Sequence, residues 1–274
     1  MKDSSFLSKV IRWEKELTPK LRELETPSGL FLKLDYEGTN GYFCTPVDAV
    51  NFANTGADGV HYAFLTDFGR YDNLDECLII RVSPMNPTAI QVVARNIKDF
   101  FSLQLCGNAD LLFNDFLSEE AYVEFLEEQE KDTTSVYFDY KSWKAEQEIA
   151  AESAQSSLNL RPIKNAYTYI QELRAERRRE IVLETQDGLG IMPISSNRRD
   201  SYRKHPWWKQ DIIPCRDYEI LKNFLETEQL ETILAFVRDY QNQAIWDTPS
   251  LNLICDKLEE LGYFSEALRL QNIL

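Results

Sequence analysis

Apolar residues recur along this chain with two periods, and the switches between them outline the elements. Ser4 and Ser5 precede a stretch in which Phe6, Val10, Trp13 and Leu17 share a helical face until Thr18-Pro19 interrupts it. After the turn Thr26-Pro27-Ser28-Gly29 the pattern becomes that of strands. Segments 30–34, 59–65, 77–82 and 88–94 are rich in β-branched and aromatic residues and are punctuated by Gly, Pro, Asn and Asp. Between the first two, Thr45-Pro46 has the chemistry of a helix start, a capping hydroxyl followed by proline, and predicts a short helix over 47–52. Asn96 is placed to cap a helix from Ile97 whose Phe100, Phe101, Leu103 and Leu105 form the apolar side.

Helical spacing dominates from residue 111 onward. Over 111–154 the chain reads as polar helix, with Phe113, Phe116, Leu117, Tyr122, Phe125 and Leu126 as the residues expected to be buried. The segment fades into small polar residues at 153–157, which read as a linker. Residues 165–179 predict a helix closing on Arg177-Arg178-Arg179, cations at the negative end of its dipole. Residues 191–214 read as irregular, and helices are expected over 218–226, 228–240, 251–261 and 264–274, the last two a hairpin split at Gly262. Together these predict an α+β fold: a mostly antiparallel sheet with flanking helices within residues 1–155, then a mainly helical region over 156–274.

Charge changes the picture more than size does. Residues 1–160 carry 14 basic and 27 acidic side chains, whereas residues 161–274 carry 16 and 18. So acidic a front half repels phosphate backbones and anionic lipid, makes nucleic acid and membranes poor partners, and suits a basic protein; surplus acid also simply keeps a protein soluble. The five cysteines are scattered and form no C-x-x-C pair, which suits a reducing compartment rather than a disulfide framework or a zinc site. The first residues lack the apolar core of a signal peptide, and no run reaches the roughly 18 apolar residues of a membrane span. A cytoplasmic location is expected.

Candidate chemistry is sparse, and no motif calls for a cofactor or a metal. There is no G-x-S-x-G elbow, and neither G-x-x-x-x-G-K-[ST] nor G-x-G-x-x-G occurs. On an extended strand His61, Ala63 and Leu65 face one way and Val60, Tyr62 and Phe64 the other. His61 has the chemistry of a general base if Asp58 or Asp67 orients it, and equally that of an ordinary strand histidine bonded within a sheet. Asp72, Asp75 and Glu76 read first as solvated loop charges. The stretch from Arg198 and Arg199 through Arg203, Lys204, Trp207 and Trp208 is the one basic, aromatic-rich segment. Its cations and indoles suit single-stranded nucleic acid, but docking onto the chain itself is the stronger expectation.

The order of features over about 30–105 resembles the SUKH superfamily, the Smi1/Knr4-like domains. Tyr36-Glu37-Gly38-Thr39-Asn40-Gly41 stands like that family's early Asn-Gly turn. Thr55-Gly56-Ala57-Asp58-Gly59-Val60-His61-Tyr62-Ala63-Phe64 resembles its glycine-rich turn into an aromatic strand. Two further strands follow, and Asn96-Ile97-Lys98-Asp99-Phe100-Phe101 is similar to its closing helix. The family's proline-containing entry helix has no clear counterpart, and the long C-terminal region is not required by the core family. The resemblance implies an α+β domain and, among bacterial members, immunity proteins that neutralise a secreted toxin.

Three functions are therefore expected in order of preference. The first is a protein-binding module whose acidic surface, Asp58, Asp67, Asp72, Asp75 and Glu76 with the run Glu127-Glu128-Gln129-Glu130, meets a basic partner such as a toxin. The second is a hydrolase-type enzyme using His61 with Asp58. The third is a scaffold that self-associates or binds a partner through Leu258, Leu261, Leu268 and Leu270 of the C-terminal helices.

Overall fold

The computed structural model describes residues 4–131, 139–194, 202–210 and 216–273. Helix α1 (Ser5–Leu17) is followed by five strands: β1 (Phe31–Asp35), β2 (Ala49–Asn54), β3 (His61–Leu65), β4 (Leu78–Val82) and β5 (Ile90–Ala94). Helices α2 (Ile97–Leu105), α3 (Ala109–Phe113), α4 (Glu119–Lys131), α5 (Tyr140–Ser157) and α6 (Ala166–Glu180) come next. Helices α7 (Tyr218–Thr227), α8 (Leu230–Asn242), α9 (Thr248–Glu260) and α10 (Phe264–Ile273) end the chain. The strands form one antiparallel meander in the order β1-β2-β3-β4-β5, so the fold is α+β as the sequence predicts.

Both faces of the sheet are covered. Val50, Phe52, Tyr62, Phe64, Ile79 and Val93 point to one side and pack with α1, α2 and α5. Phe52 lies 4.6 Å from Phe64 and 5.3 Å edge-on to Phe100, ring geometries that add to simple burial. The other face, including Ala63, Leu65, Ile80 and Val92, is closed by Leu173 of α6, Leu189 and Cys44. The alternation expected across β3 is thus present. A third cluster unites α7 to α10 with Trp207 and takes in Val47 and Phe68 from the sheet region.

Three sequence expectations are corrected. Residues 49–54 form β2 and not a helix over 47–52. Proline 46 suits a helix start, but segment 49–54 pairs on both sides, Asn54 with Phe31 and His61, and that pairing outweighs local preference. Residues 153–157 continue α5 instead of forming a linker: Ala154 is fully buried, and the indole N–H of Trp13 donates to Ser153 Oγ at 3.0 Å. The first core accordingly draws on both sides of residue 155, from Leu7 to Ile170. Finally, Phe113, at the end of α3, is 42% exposed and Leu117, between α3 and α4, fully so, while Tyr122 is buried.

Candidate functional site

The turn over 55–60 stands between two open grooves. The Thr55 N–H donates to the Val60 carbonyl at 3.1 Å and the Val60 N–H to the Ala57 carbonyl at 3.1 Å, closing a tight loop between β2 and β3. Gly56 and Gly59 sit at φ 78° and 68°, which glycine adopts without strain, and Asp58 follows them into the left-handed region at 52°. A Cβ at Gly56 would fall 2.7 Å from the Phe31 ring, and one at Gly59 2.6 Å from the Tyr42 ring. Two aromatic rings are therefore laid against the turn where a side chain would otherwise stand.

An open groove runs on each side of this turn. The first, about 430 Å³, is lined by Thr39, Asn40, Tyr42, Asn54, Ala57 and His61 among others. The second, about 460 Å³, lies between Asp58, Val60, Met85, Phe113, Asn114 and Asp115. No lysine or arginine is among the residues lining either; Asp58 and Asp115 line the second, and no carboxylate lines the first. Exposed apolar side chains rim them: Phe31, Tyr42, Met85 and Phe113. The exposed carboxylate of Asp58, set among aromatics and a methionine, is chemically suited to a cationic protein segment.

His61 borders the first groove but is fastened. The carbonyl of Gly59 lies 2.8 Å from Nδ1, and a carbonyl only accepts, so Nδ1 carries the proton. Thr45 Oγ1, 3.1 Å from Nε2, then donates to it, while accepting the Tyr42 N–H at 2.8 Å. The Tyr42 ring stacks over the imidazole at 5.9 Å. Burial lowers the His61 pKa, against smaller opposing effects of the Gly59 carbonyl and Asp35, and keeps the ring neutral. Asp58 stands exposed at the turn, and Asp67 is 2% exposed and bonded to Arg177 at 2.7 and 2.9 Å. The His61 ring nitrogens bond to Gly59 and Thr45 and to neither Asp58 nor Asp67, and the lone pair a general base needs is occupied.

The remaining acids divide into two kinds. Asp72 and Glu76 are exposed, as are Glu127 and Glu128 on α4. Asp75, between them in sequence, is consumed: its carboxylate accepts the Phe6 N–H at 3.1 and 3.2 Å and the Ser5 hydroxyl at 2.6 Å, and Ser4 Oγ also donates to it. It satisfies the first turn of α1 from across the fold. Asp115, which the sequence did not single out, accepts from Nη2 of Arg81 at 2.6 Å, and Nη1 of the same wholly buried arginine donates to the Phe113 carbonyl at 2.8 Å. No local pattern announces that pairing, because its partners come from β4 and from the link between α3 and α4.

The basic segment folds onto its own chain where it is described. Arg198 and Arg199 lie outside the described residues. Trp207 is buried 5.0 Å from the Phe224 ring and 5.2 Å from that of Phe236, so its faces are taken. Lys204 pairs with Glu184 at 2.5 Å and lies 3.8 Å over the Trp208 ring. Arg203 is exposed, and its carbonyl accepts the Thr232 hydroxyl at 2.7 Å. His205 Nε2 bonds to Asp239 at 2.8 Å. In the hairpin of α9 and α10, Leu258 and Leu270 are fully buried, whereas Leu268 is exposed.

Among the described residues no group of histidine, cysteine and carboxylate side chains is arranged to hold a metal, and no helix is long and apolar enough to cross a membrane. Burial pushes the thiols of Cys44 and Cys255 up to about 11 and that of Cys77 up to about 12, so these sulfurs stay protonated and unreactive at neutral pH. No protein-family model matches the chain, and no curated protein is significantly similar to it.

Proposed function

We propose that this chain is a protein-binding module of Smi1/Knr4-like type, and that the two grooves beside the 55–60 turn receive a cationic segment of a partner protein. The observation that carries this reading is the make-up of the grooves: open, rimmed by Phe31, Tyr42, Met85 and Phe113, lined by no lysine or arginine, and with the exposed carboxylate of Asp58 at the turn between them. Exposed Asp72 and Glu76 lie in the connection between β3 and β4, at the opposite end of the sheet from this turn. A protein that grips phosphates, such as a nuclease toxin, must present lysines and arginines, and an acidic surface captures those groups and steers their approach. Bacterial immunity against such a toxin is the role that best combines this chemistry with the resemblance in the sequence.

The test is capture of a basic partner at low salt, followed by association kinetics with the captured protein. Asp58→Lys is expected to slow association about threefold, with less effect at high salt, whereas Asp72→Lys with Glu76→Lys, at the opposite end of the sheet, is expected to slow it less. Asp75 is spared because it caps α1. Recovery of no protein partner, or kinetics indifferent to Asp58→Lys, contradicts the reading.

A further inference from the structure

The wall of the first groove is held from the far end of the chain. Residues 36–48 leave β1, pass Thr39 to Tyr42 along the groove and return to β2. Asp35 fixes the start of this segment by accepting the Thr39 N–H at 3.2 Å and the Asn40 N–H at 2.8 Å. Its outer side has no strand partner and is gripped by α8 and α10. Nη1 of Arg269 donates to the Tyr36 carbonyl at 3.1 Å, and Nε donates to that of Val47. Asn272 Nδ2 donates to the Glu37 carbonyl at 2.8 Å. The Gln241 amide both donates to the Thr45 carbonyl and accepts the Val47 N–H at 2.9 Å.

Packing follows the same path. A Cβ at Gly38 would meet the Arg269 stem at 2.7 Å, and one at Gly41 would meet Ile273 Cδ1 at 3.0 Å. The two glycines let α10 lie directly against the backbone that carries Thr39 to Tyr42. Because Tyr42 stacks on His61 and Thr45 bonds to it, any shift of this segment changes the groove's width and its floor together.

We infer that α8 and α10 are positioning elements for the first groove, with Gln241, Arg269, Asn272 and Ile273 setting the place of its wall, so that occupancy of the groove and docking of the C-terminal helices are coupled. This rests on the groove's being the binding site. Coupling between sites is reciprocal: a ligand that braces residues 39–42 also protects the end of α10. The C-terminal region, which a Smi1/Knr4-like core does not require, then has a role in binding.

Asn272→Ala and Ile273→Ala test this, since both lie at the end of α10 and neither belongs to a buried core cluster. Leu268→Ala, exposed on the same helix, is the control. Amide exchange is followed at residues 39–42, and affinity is measured for an arginine-rich peptide as probe. The two variants are expected to speed exchange at 39–42 and weaken peptide binding, each by about fivefold or more, with β4 and α2 unaffected. Unchanged exchange at 39–42, or an equal effect of Leu268→Ala, overturns the inference. Faster exchange at 39–42 in a protein that binds no peptide even as wild type upholds the positioning and removes the binding reading instead.

Discussion

Arg238 and Asp48, 190 positions apart, meet in a two-pronged ion pair at 2.5 and 3.2 Å with both side chains out of contact with water. Beside them Arg177 grips Asp67, Arg238 approaches Asp67 at 3.5 Å and Asp187 at 4.0 Å, and both guanidinium groups donate to the Gly190 carbonyl. Burial penalises the Arg238 cation, but Asp48, Asp187 and Asp67 outweigh that penalty and hold its pKa above the ordinary value. This polar centre joins the sheet to the C-terminal helices and fixes their mutual register.

Removing Asp48 takes its two-pronged partner from a buried cation and leaves Arg238 only the longer contacts to Asp67 and Asp187. Asp48→Ala is expected to lower stability in urea unfolding by about 3–5 kcal/mol. Adding Arg238→Met, which removes the buried cation that has lost its closest partner while keeping an apolar stem, is expected to recover part of that loss. A double variant no more stable than the single one contradicts the electrostatic account.

The charge divided between sequence and fold in an instructive way. Strands β1 and β3 to β5 were legible because their apolar and β-branched residues are dense and bounded by turn formers. β2 was not, since Ala49, Asn51 and Asn54 are weak strand formers and only pairing on both edges makes them one. Asp72, Asp75 and Glu76 are indistinguishable in sequence, yet one of them caps a helix about seventy positions away. From its place at the end of α6, Arg177 has the pattern of a cation set for the helix dipole, whereas its guanidinium is buried on Asp67. The glycine-rich turn was visible as a motif, but the grooves beside it depend on Tyr42, Met85 and Phe113–Asp115, which only the tertiary fold assembles.

His61 makes stability depend on pH in a definite direction. Its folded pKa lies below the ordinary 6.5, so the unfolded chain takes up a proton that the folded protein refuses. Its contribution therefore favours unfolding as pH falls below about 6.5, and levels off where the folded ring itself protonates. His61→Asn, whose amide can still donate to the Gly59 carbonyl, is expected to flatten the decline below about pH 6.5 relative to wild type. Equal slopes for both proteins contradict a buried neutral imidazole.

Gly59 is predicted to matter for shape more than for stability. Gly59→Ala places a methyl at positive φ at a cost of about 1 kcal/mol and displaces the partly exposed Tyr42 ring from His61. Thermal unfolding gives the first quantity, and the His61 imidazole resonances, freed from the stacked ring, report the second. Unaltered imidazole shifts in the variant contradict the packing described.

The most direct measurement is an NMR titration of the protein with an arginine-rich peptide at low salt, following every assigned amide. The account predicts that perturbations gather at residues 39–42, 54–61, 83–88 and 113–115, the walls of the two grooves, and that Asp58→Lys weakens them. Perturbations spread evenly over the exposed carboxylates, or centred on α4, contradict it.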